Sequence, residues 1–328
     1  MALASSGARI AVLDILRGIA VMGILLANMP AFALPTPANF SPLAWGENGP
    51  VEIAIWLANF TLIEGKMRGL FSLLFGASML LVIERAKAAG ESPVRVHLNR
   101  MLVLLCIGLA HRYLVWWGDI LAHYALAGAI ALMFVRLTAV QLLFASLTML
   151  AFAIYTNLNA LSAMMTSASR GTTQAVEVWN NFAWYFGVPP KDWIDGQLAA
   201  YRGSWSDRIA WNWRYLDSPL AFLRSVGPET LAAMLLGMAG YRSGFLTGAW
   251  TRQQYRMWAL IGLSIAIPAY LLLGINSIVG GFDQRDVFFA SFVASEPFRL
   301  IGVTGYAALF ILAVQPESSL GRRLAAVG

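Results

Sequence analysis

Three residues with acid–base side chains lie close together in the sequence: His111, Asp119 and His123. Asp119 and His123 are four residues apart, so we expect both on one face of a helix, where the carboxylate can orient the imidazole ring. Such a pair suits general-base catalysis, because the pKa of a histidine lies near neutrality. We therefore predict these three residues as catalytic candidates. The alternative for Asp119 is that its side chain caps a helix.

Asp14 and Arg17 form a second pair, three residues apart near the start of an apolar segment. At this spacing the two side chains meet on one helix face, so both charges can enter an apolar environment at reduced cost. Two interpretations are open. The pair is either a structural ion pair, which we favour, or part of a cofactor-binding site for an anionic ligand such as a nucleotide or a coenzyme A phosphate.

The composition indicates that these residues sit in a membrane protein. Of the 328 residues, 59% are hydrophobic and only 12% are charged, whereas about a quarter of a soluble domain is charged. The mean hydropathy is +0.64. These values exclude a soluble enzyme, a disordered chain and, with Cys106 as the single cysteine, a disulfide scaffold. The net charge of +6 comes from bases scattered between apolar runs, so we expect no nucleic-acid partner.

Eight apolar segments are long enough to cross a membrane, since one crossing needs about 20 residues. They cover residues 11–32, 66–84, 99–117, 119–136, 138–158, 228–247, 257–279 and 298–314. The predicted fold class is therefore an all-α, polytopic transmembrane helical bundle. Residues 51–63 are also apolar; we expect a break near Gly65, or a helix in the outer interface, rather than one long straight span.

The positions of the basic residues predict the orientation of the bundle, because cytoplasmic loops are enriched in Lys and Arg. With the N-terminus inside, eleven of the 23 bases lie on the cytoplasmic side, and the short outer connections hold three. The sequence thus predicts that the N-terminus and residue 328 face the cytoplasm.

In this orientation several polar residues fall in the outer third of the membrane, counting 1.5 Å per helical residue. Inserting a charged side chain into a membrane costs about 2.5–3.5 kcal/mol at the centre of a transmembrane helix. Ionisable groups inside the spans are therefore functional candidates. We predict that five residues of this group bind a substrate: Asn28, Glu64, Lys66, Arg68 and Tyr124.

Structural alternatives exist for the same group. Half of these side chains could simply extend to the interface, with Glu64 pairing with Arg68 on one helix face. Glu229 follows Pro228 and fits an acid in the first turn of a helix that starts with proline.

Three regions of the chain follow from this pattern: an N-terminal membrane half (1–158), an aromatic-rich segment (159–227) and a C-terminal membrane half (228–328). The middle segment holds six of the twelve tryptophans. It is either a set of amphipathic helices at the headgroup level or an aromatic vestibule for a sugar or lipid headgroup. No motif with metal-ligand spacing is present in the sequence, so we expect no metal.

Several motifs resemble the YeiB-like family of bacterial inner-membrane proteins, described mostly as of unknown function. They are residues 13–18 (LDILRG) with 23–28 (GILLAN), 64–66 (EGK) with 70–76 (LFSLLFG), 108–111 (GLAH) with 117–121 (WGDIL) and Tyr124, and more loosely 234–239 (MLLGMA) with 241–245 (YRSGF). Family members continue for about two more helices, so the resemblance implies a longer protein with about ten spans in a bacterial inner membrane.

The first motif is also similar to that of membrane acyltransferases related to heparan-α-glucosaminide N-acetyltransferase, which use cytosolic acyl-CoA. Asn28 matches the asparagine that ends their first-helix motif. Their catalytic histidine lies in the next outer loop, but residues 29–49 contain no histidine, so that role would pass to His111 or His123.

The leading hypothesis is therefore a membrane acyltransferase, with acyl-CoA entering near Asp14 and Arg17. His111 or His123, helped by Asp119, would deprotonate an extracytoplasmic or lipid-linked hydroxyl or amine. Asn28 or Lys66 would stabilise the oxyanion. The alternatives are a transporter of a small amphiphile and a non-catalytic lipid-binding protein. We expect membrane lipids as partners and leave a homodimer open.

Overall fold

The structure is a computed structural model that describes residues 11–46, 48–314 and 317–328. Arg9, which contributed to the predicted orientation, lies outside them. The described residues form helices and no strand, which confirms the all-α fold class. The helices are α1 (Ala11–Ala33), α2 (Pro50–Leu62), α3 (Lys66–Ala88), α4 (Pro93–Leu114), α5 (Leu121–Ala131), α6 (Ala139–Ala168), α7 (Thr173–Phe186), α8 (Lys191–Arg202), α9 (Trp205–Tyr215), α10 (Pro219–Arg242), α11 (Arg252–Val279), α12 (Gln284–Phe288), α13 (Glu296–Ala313) and α14 (Ser319–Val327).

Within the described ranges, six helical stretches are long and apolar enough to cross a membrane: α1, α2 with α3, α4, α6, α11 and α13. The other two predicted spans correspond to α5 and α10. Helix α5 has 11 residues and continues into a short 3-10 turn at Leu132–Phe134. Helix α10 has 24 residues and carries charged side chains. The chain is thus a multi-pass helical membrane protein.

Helix α10 begins nine residues earlier than the sequence pattern predicted. Ser218 accepts a hydrogen bond from the backbone N–H of Ala221, and Pro219 takes the first helical position. This is a strong helix start, because a serine cap and an N-terminal proline act together. Pro228 consequently lies inside the helix, and the prediction that Glu229 sits in a first turn is wrong.

The predicted break near Gly65 is present between α2 and α3. Gly65 adopts a φ of +71°, a conformation that favours glycine because it lacks a Cβ. A side chain at this position would also collide with the guanidinium of Arg299. The break therefore lets α3 start beside α13 with its first residue, Lys66, pointing into the protein.

Helix α3 is the central helix of the bundle. Thirteen of its 23 residues are buried, whereas α4 on the periphery buries four of 22. Gly76 of α3 and Gly237 of α10 each lie against the backbone of the other helix, so these helices approach closely, as small residues allow in membranes. Charged residues on α3 must therefore find partners inside the protein.

Helices α7, α8 and α9 form the aromatic-rich segment and fold back over the ends of α1 and α4. The indole N–H of Trp205 donates to the backbone oxygen of Leu114 (2.7 Å). The amide of Gln197 donates to the hydroxyl of Thr36 (2.7 Å), just after α1. The predicted region boundaries at 158 and 228 fall inside α6 and α10, because α6 ends later and α10 begins earlier than the apolar segments in the sequence.

Candidate functional site

An open cleft of about 810 Å³ lies at the predicted outer ends of α1 and α4, below α8 and α9. We call it the outer cleft. Of the residues predicted for the site, Asn28, His111 and Asp119 line it. Its other walls come mostly from apolar residues of α1 and of the segment before α5, joined by a set of aromatic and basic side chains: Phe32, Trp45, Trp116, Trp117, Tyr201, Arg202 and Arg208.

His111 and Asp119 form a hydrogen-bonded pair in this cleft. The Nδ1 atom of His111 lies 3.1 Å from Oδ1 of Asp119. The Asp119 side chain is 1% exposed and that of His111 is 37% exposed. Because an ionised carboxylate only accepts hydrogen bonds, this contact places the proton of a neutral His111 on Nδ1 and leaves Nε2 as the basic atom. The pair has the orientation of a base with its positioning carboxylate.

The predicted pairing of Asp119 with His123 is not formed. Helix α5 begins at Leu121, so Asp119 precedes it and does not share a helical face with His123. Its Oδ2 atom instead accepts the backbone N–H of Ala122 (3.0 Å), a cap-like contact that satisfies a free donor at the helix start. Both carboxylate oxygens of Asp119 are thus engaged.

His123 points into the protein, away from the outer cleft. Its Nε2 atom lies 2.8 Å from the hydroxyl of Thr230 on α10, and its ring packs edge-on against Phe222. The residue is 3% exposed. Its position joins α5 to α10 and does not reach the residues that line the cleft.

A buried ion cluster joins α3, α10 and α13; we define it as Arg68, Glu229, Glu296 and Arg299. Arg68 donates to both oxygens of Glu229 (3.1 and 3.0 Å). Arg299 lies 2.5 Å from Glu229 and 3.3 Å from Glu296. It also donates to the hydroxyl of Tyr270 (3.1 Å). Arg68 pairs with Glu229 and not with Glu64, because α10 brings Glu229 against α3.

Lys66 is fully buried beside this cluster. Its ammonium group donates to the backbone oxygens of Phe60 (2.7 Å) and Glu64 (3.1 Å) and lies 3.1 Å from the ring centroid of Tyr270. A cation over an aromatic face is stabilised by the ring quadrupole. Lys66 therefore stabilises the break between α2 and α3 and packs it against α11.

Tyr124 is buried as well. Its hydroxyl lies 2.6 Å from that of Ser72 and donates to the backbone oxygen of Arg68 (3.2 Å). Of the five residues predicted to bind a substrate, only Asn28 lines the outer cleft. Three residues of this region had no predicted role: Tyr270, Glu296 and Arg299. The spacing of three residues between Glu296 and Arg299 was a usable signal, since it indicates an ion pair on one helix face.

A second cavity, of about 970 Å³, lies at the predicted cytoplasmic ends of α1, α3 and α4. We call it the inner cavity. Asp14 and Arg17 line it and form the predicted ion pair (3.0 Å). Arg17 also donates to the hydroxyl of Ser78 (2.7 Å). Arg85 and Arg100 line the same cavity, together with apolar residues of the three helices.

Comparison with known proteins shows what this chain is similar to. Residues 240–328 match the family described as a protein of unknown function (DUF418). The chain is 30% identical over 266 residues to the uncharacterized protein YeiB of Escherichia coli. It is 40% identical over 133 residues to the uncharacterized protein YxaH of Bacillus subtilis. The resemblance to the YeiB-like family is confirmed.

The YeiB match covers 79% of this chain and 64% of YeiB. The YxaH match covers 38% of this chain and 32% of YxaH. The chain therefore spans less than two thirds of the curated YeiB-like relatives that it matches. No solved structure matches it.

Proposed function

We propose that this YeiB-like protein is a membrane acyltransferase that moves an acyl group from acyl-CoA to a hydroxyl or amine acceptor at the outer face. The observation that carries the proposal is the His111–Asp119 pair in the outer cleft. His111 is partly exposed, and Asp119 is fully engaged. A carboxylate that orients an accessible imidazole is an arrangement suited to general-base catalysis.

In the proposed reaction Nε2 of His111 accepts the proton of the acceptor hydroxyl or amine. The acceptor atom then attacks the thioester carbonyl carbon, the carbon–sulfur bond breaks, and the coenzyme A sulfur leaves with the proton from the imidazolium. Asp119 stabilises the imidazolium through Nδ1. Asn28 lines the same cleft and supplies an amide N–H for the oxyanion, whereas Lys66 is occupied by backbone oxygens.

The inner cavity supports the donor side of the proposal. Guanidinium groups bind phosphate oxygens, and Arg17, Arg85 and Arg100 line a cavity whose other walls are largely apolar. The cavity and the outer cleft lie along the same two helices. Arg17 precedes Asn28 on α1 by eleven residues, and Arg100 precedes His111 on α4 by the same number, about 16 Å in each case. An extended donor bound at the inner cavity fits this spacing.

Use of cytosolic acyl-CoA also favours a bacterial inner membrane as the location, with the inner cavity facing the cytoplasm. The second candidate is a transporter of a small amphiphile. It is favoured by the same pair of cavities, which lie near opposite ends of α1 and α4. The two candidates differ in the fate of the thioester bond: the acyltransferase breaks it, and the transporter leaves it intact.

A double-label experiment tests the proposal on the full chain in sealed vesicles. Acetyl-CoA carrying one label on the acetyl group and another on the adenine is supplied at the predicted cytoplasmic side. We expect the acetyl label to appear in the acceptor fraction while the adenine label stays where it was added, and we expect His111→Ala to abolish the transfer. Transport of both labels across the membrane would contradict the proposal. So would an acetyl label that stays on coenzyme A in wild-type vesicles.

A further inference from the structure

The polar residues that line the outer cleft divide into two sets by their hydrogen bonds. Gln197 and Tyr201 belong to the first set, which is engaged in packing. Gln197 bonds to the backbone and the hydroxyl of Thr36, and the hydroxyl of Tyr201 donates to the side chain of Asn212 (2.8 Å). These contacts hold α8 and α9 in place over the cleft, so this wall is built before any ligand arrives.

The second set consists of donors without an acceptor. The Nε1 atom of Trp116 and the Nε atom of Arg208 are buried and make no hydrogen bond. Arg208 lies over the ring of Tyr201, 5.5 Å from its centroid. For Arg202 and Asn28 no hydrogen bond or ion pair is formed within the described parts of the chain. A buried donor without a partner is unfavourable by about 1–3 kcal/mol, so Trp116 and Arg208 call for an acceptor, whereas Asn28 is half-buried and Arg202 is exposed, and both are free to bind a ligand.

The charge of the cleft points in the same direction. Among the described residues that line it, Asp119 is the one carboxylate, and both of its oxygens are occupied by His111 and Ala122. The two guanidinium groups of Arg202 and Arg208 are therefore not neutralised by the protein. An uncompensated pair of arginines beside a catalytic base favours an anionic ligand.

We propose that the acceptor carries a phosphate group, which Arg202, Arg208 and the indole N–H of Trp116 bind while His111 deprotonates a nearby hydroxyl or amine. The donors come from α8, α9 and the segment before α5, and a phosphate presents oxygens in several directions at once. The phosphate belongs either to a lipid headgroup or to a free phosphate ester. This assignment rests on the proposed acyltransferase function for the role of the ligand, but not for its binding.

Binding measurements on the purified full chain, without any acyl donor, test the assignment. The probes are short-chain phosphatidylglycerol, glycerol 3-phosphate and, as a neutral match for the first, diacylglycerol with the same acyl chains. We expect at least one phosphate-bearing probe to bind more tightly than diacylglycerol. Arg208→Gln should raise its Kd about tenfold or more, the effect of losing a charge-assisted hydrogen bond.

Two further variants separate binding from folding. Arg202→Gln changes an exposed side chain without hydrogen bonds and should also weaken the phosphate-bearing probe. Arg214→Gln, on α9 but outside the cleft lining, should leave the Kd unchanged. Binding of phosphatidylglycerol alone identifies a lipid headgroup, and binding of glycerol 3-phosphate alone identifies a free ester.

Equal affinity for phosphatidylglycerol and diacylglycerol, no binding of either phosphate-bearing probe, or a Kd that does not respond to Arg202→Gln and Arg208→Gln would overturn the assignment. Its failure is distinct from failure of the proposed function. Acyl transfer to a neutral acceptor at a rate that Arg208→Gln does not change overturns the phosphate assignment alone. Tight, arginine-dependent phosphate binding without any acyl transfer overturns the enzyme alone.

Discussion

The outer cleft and the buried ion cluster contain the same kinds of residue in opposite situations. In the ion cluster Glu229 is 5% exposed and is held by two arginines from two helices. In the cleft His111 is partly exposed and only one of its ring nitrogens is bonded. Polar residues in apolar helices therefore serve two purposes: those paired inside the protein join helices, and those with an unpaired atom at a cleft are available for chemistry.

The largest effect expected on stability comes from Glu229→Gln. This change leaves the buried Arg299 and the partly buried Arg68 without their shared carboxylate, and breaking a buried ion pair costs about 3–5 kcal/mol. We expect the free energy of unfolding, followed by thermal or denaturant melting in detergent, to fall by this amount. The matched control is Glu177→Gln on α7, an exposed residue. Equal melting of Glu229→Gln and wild type would show that the cluster does not hold the helices together.

Asp119→Asn should separate chemistry from stability in the outer cleft. The amide oxygen can still accept the N–H of Ala122, so the start of α5 is kept, but the negative charge that orients His111 and stabilises its imidazolium is lost. We expect acyl transfer to fall about 10²-fold or more, by analogy with other carboxylate–histidine pairs. Melting should change by less than in Glu229→Gln. Full activity in this variant would remove Asp119 from the mechanism.

Lys66→Met tests whether a residue predicted to bind substrate acts as a structural contact instead. The change removes two hydrogen bonds to backbone oxygens and the contact with the ring of Tyr270. We expect a loss of about 1–3 kcal/mol in stability, the effect of leaving buried acceptors unpaired. Acyl transfer per folded molecule should stay close to that of wild type. Loss of acyl transfer with unchanged melting would show that Lys66 takes part in substrate binding or catalysis.

Tyr201→Phe should have the smallest effect, because it removes one hydrogen bond to Asn212, worth about 1 kcal/mol. Burial raises the pKa of Tyr201 from 10.0 to about 12, although the charge of Arg208 lowers it. A raised pKa in the folded state means that the stabilisation is present below pH 10 and is lost as the pH rises through about 12. Melting between these values should therefore be less pH-dependent in the variant than in wild type.

Much of the fold could be predicted from the sequence because apolar runs of about 20 residues leave few alternatives in a membrane. Hydropathy located α1, α3, α4, α6, α11 and α13, and the glycine at residue 65 marked the break before α3. Helix starts were harder. The pattern placed one start at Pro228, although Ser218 and Pro219 provide a stronger one, and this difference removed Glu229 from the first turn.

The site was predicted in part. His111, Asp119 and Asn28 were named as candidates and lie in one cleft, but the partner of Asp119 was wrong. The spacing of four residues favoured His123 as the partner of Asp119. Because α5 begins two residues after Asp119, the carboxylate lies outside that helix and pairs with His111 instead. The pairing of Arg68 with Glu229 joins residues far apart in the chain. Spacing rules describe one helix at a time, so they cannot indicate such a contact.

The catalytic role of His111 is tested by comparing His111→Gln with His123→Gln in the acyl-transfer assay, with melting measured on the same preparations and activity expressed per folded molecule. We expect His111→Gln to lower acyl transfer by about 10²–10⁴-fold with little change in melting. We expect His123→Gln, which disturbs the contact with Thr230, to lower stability but retain transfer. Full transfer in His111→Gln, or loss of transfer in His123→Gln with unchanged melting, would show that His111 is not the catalytic base.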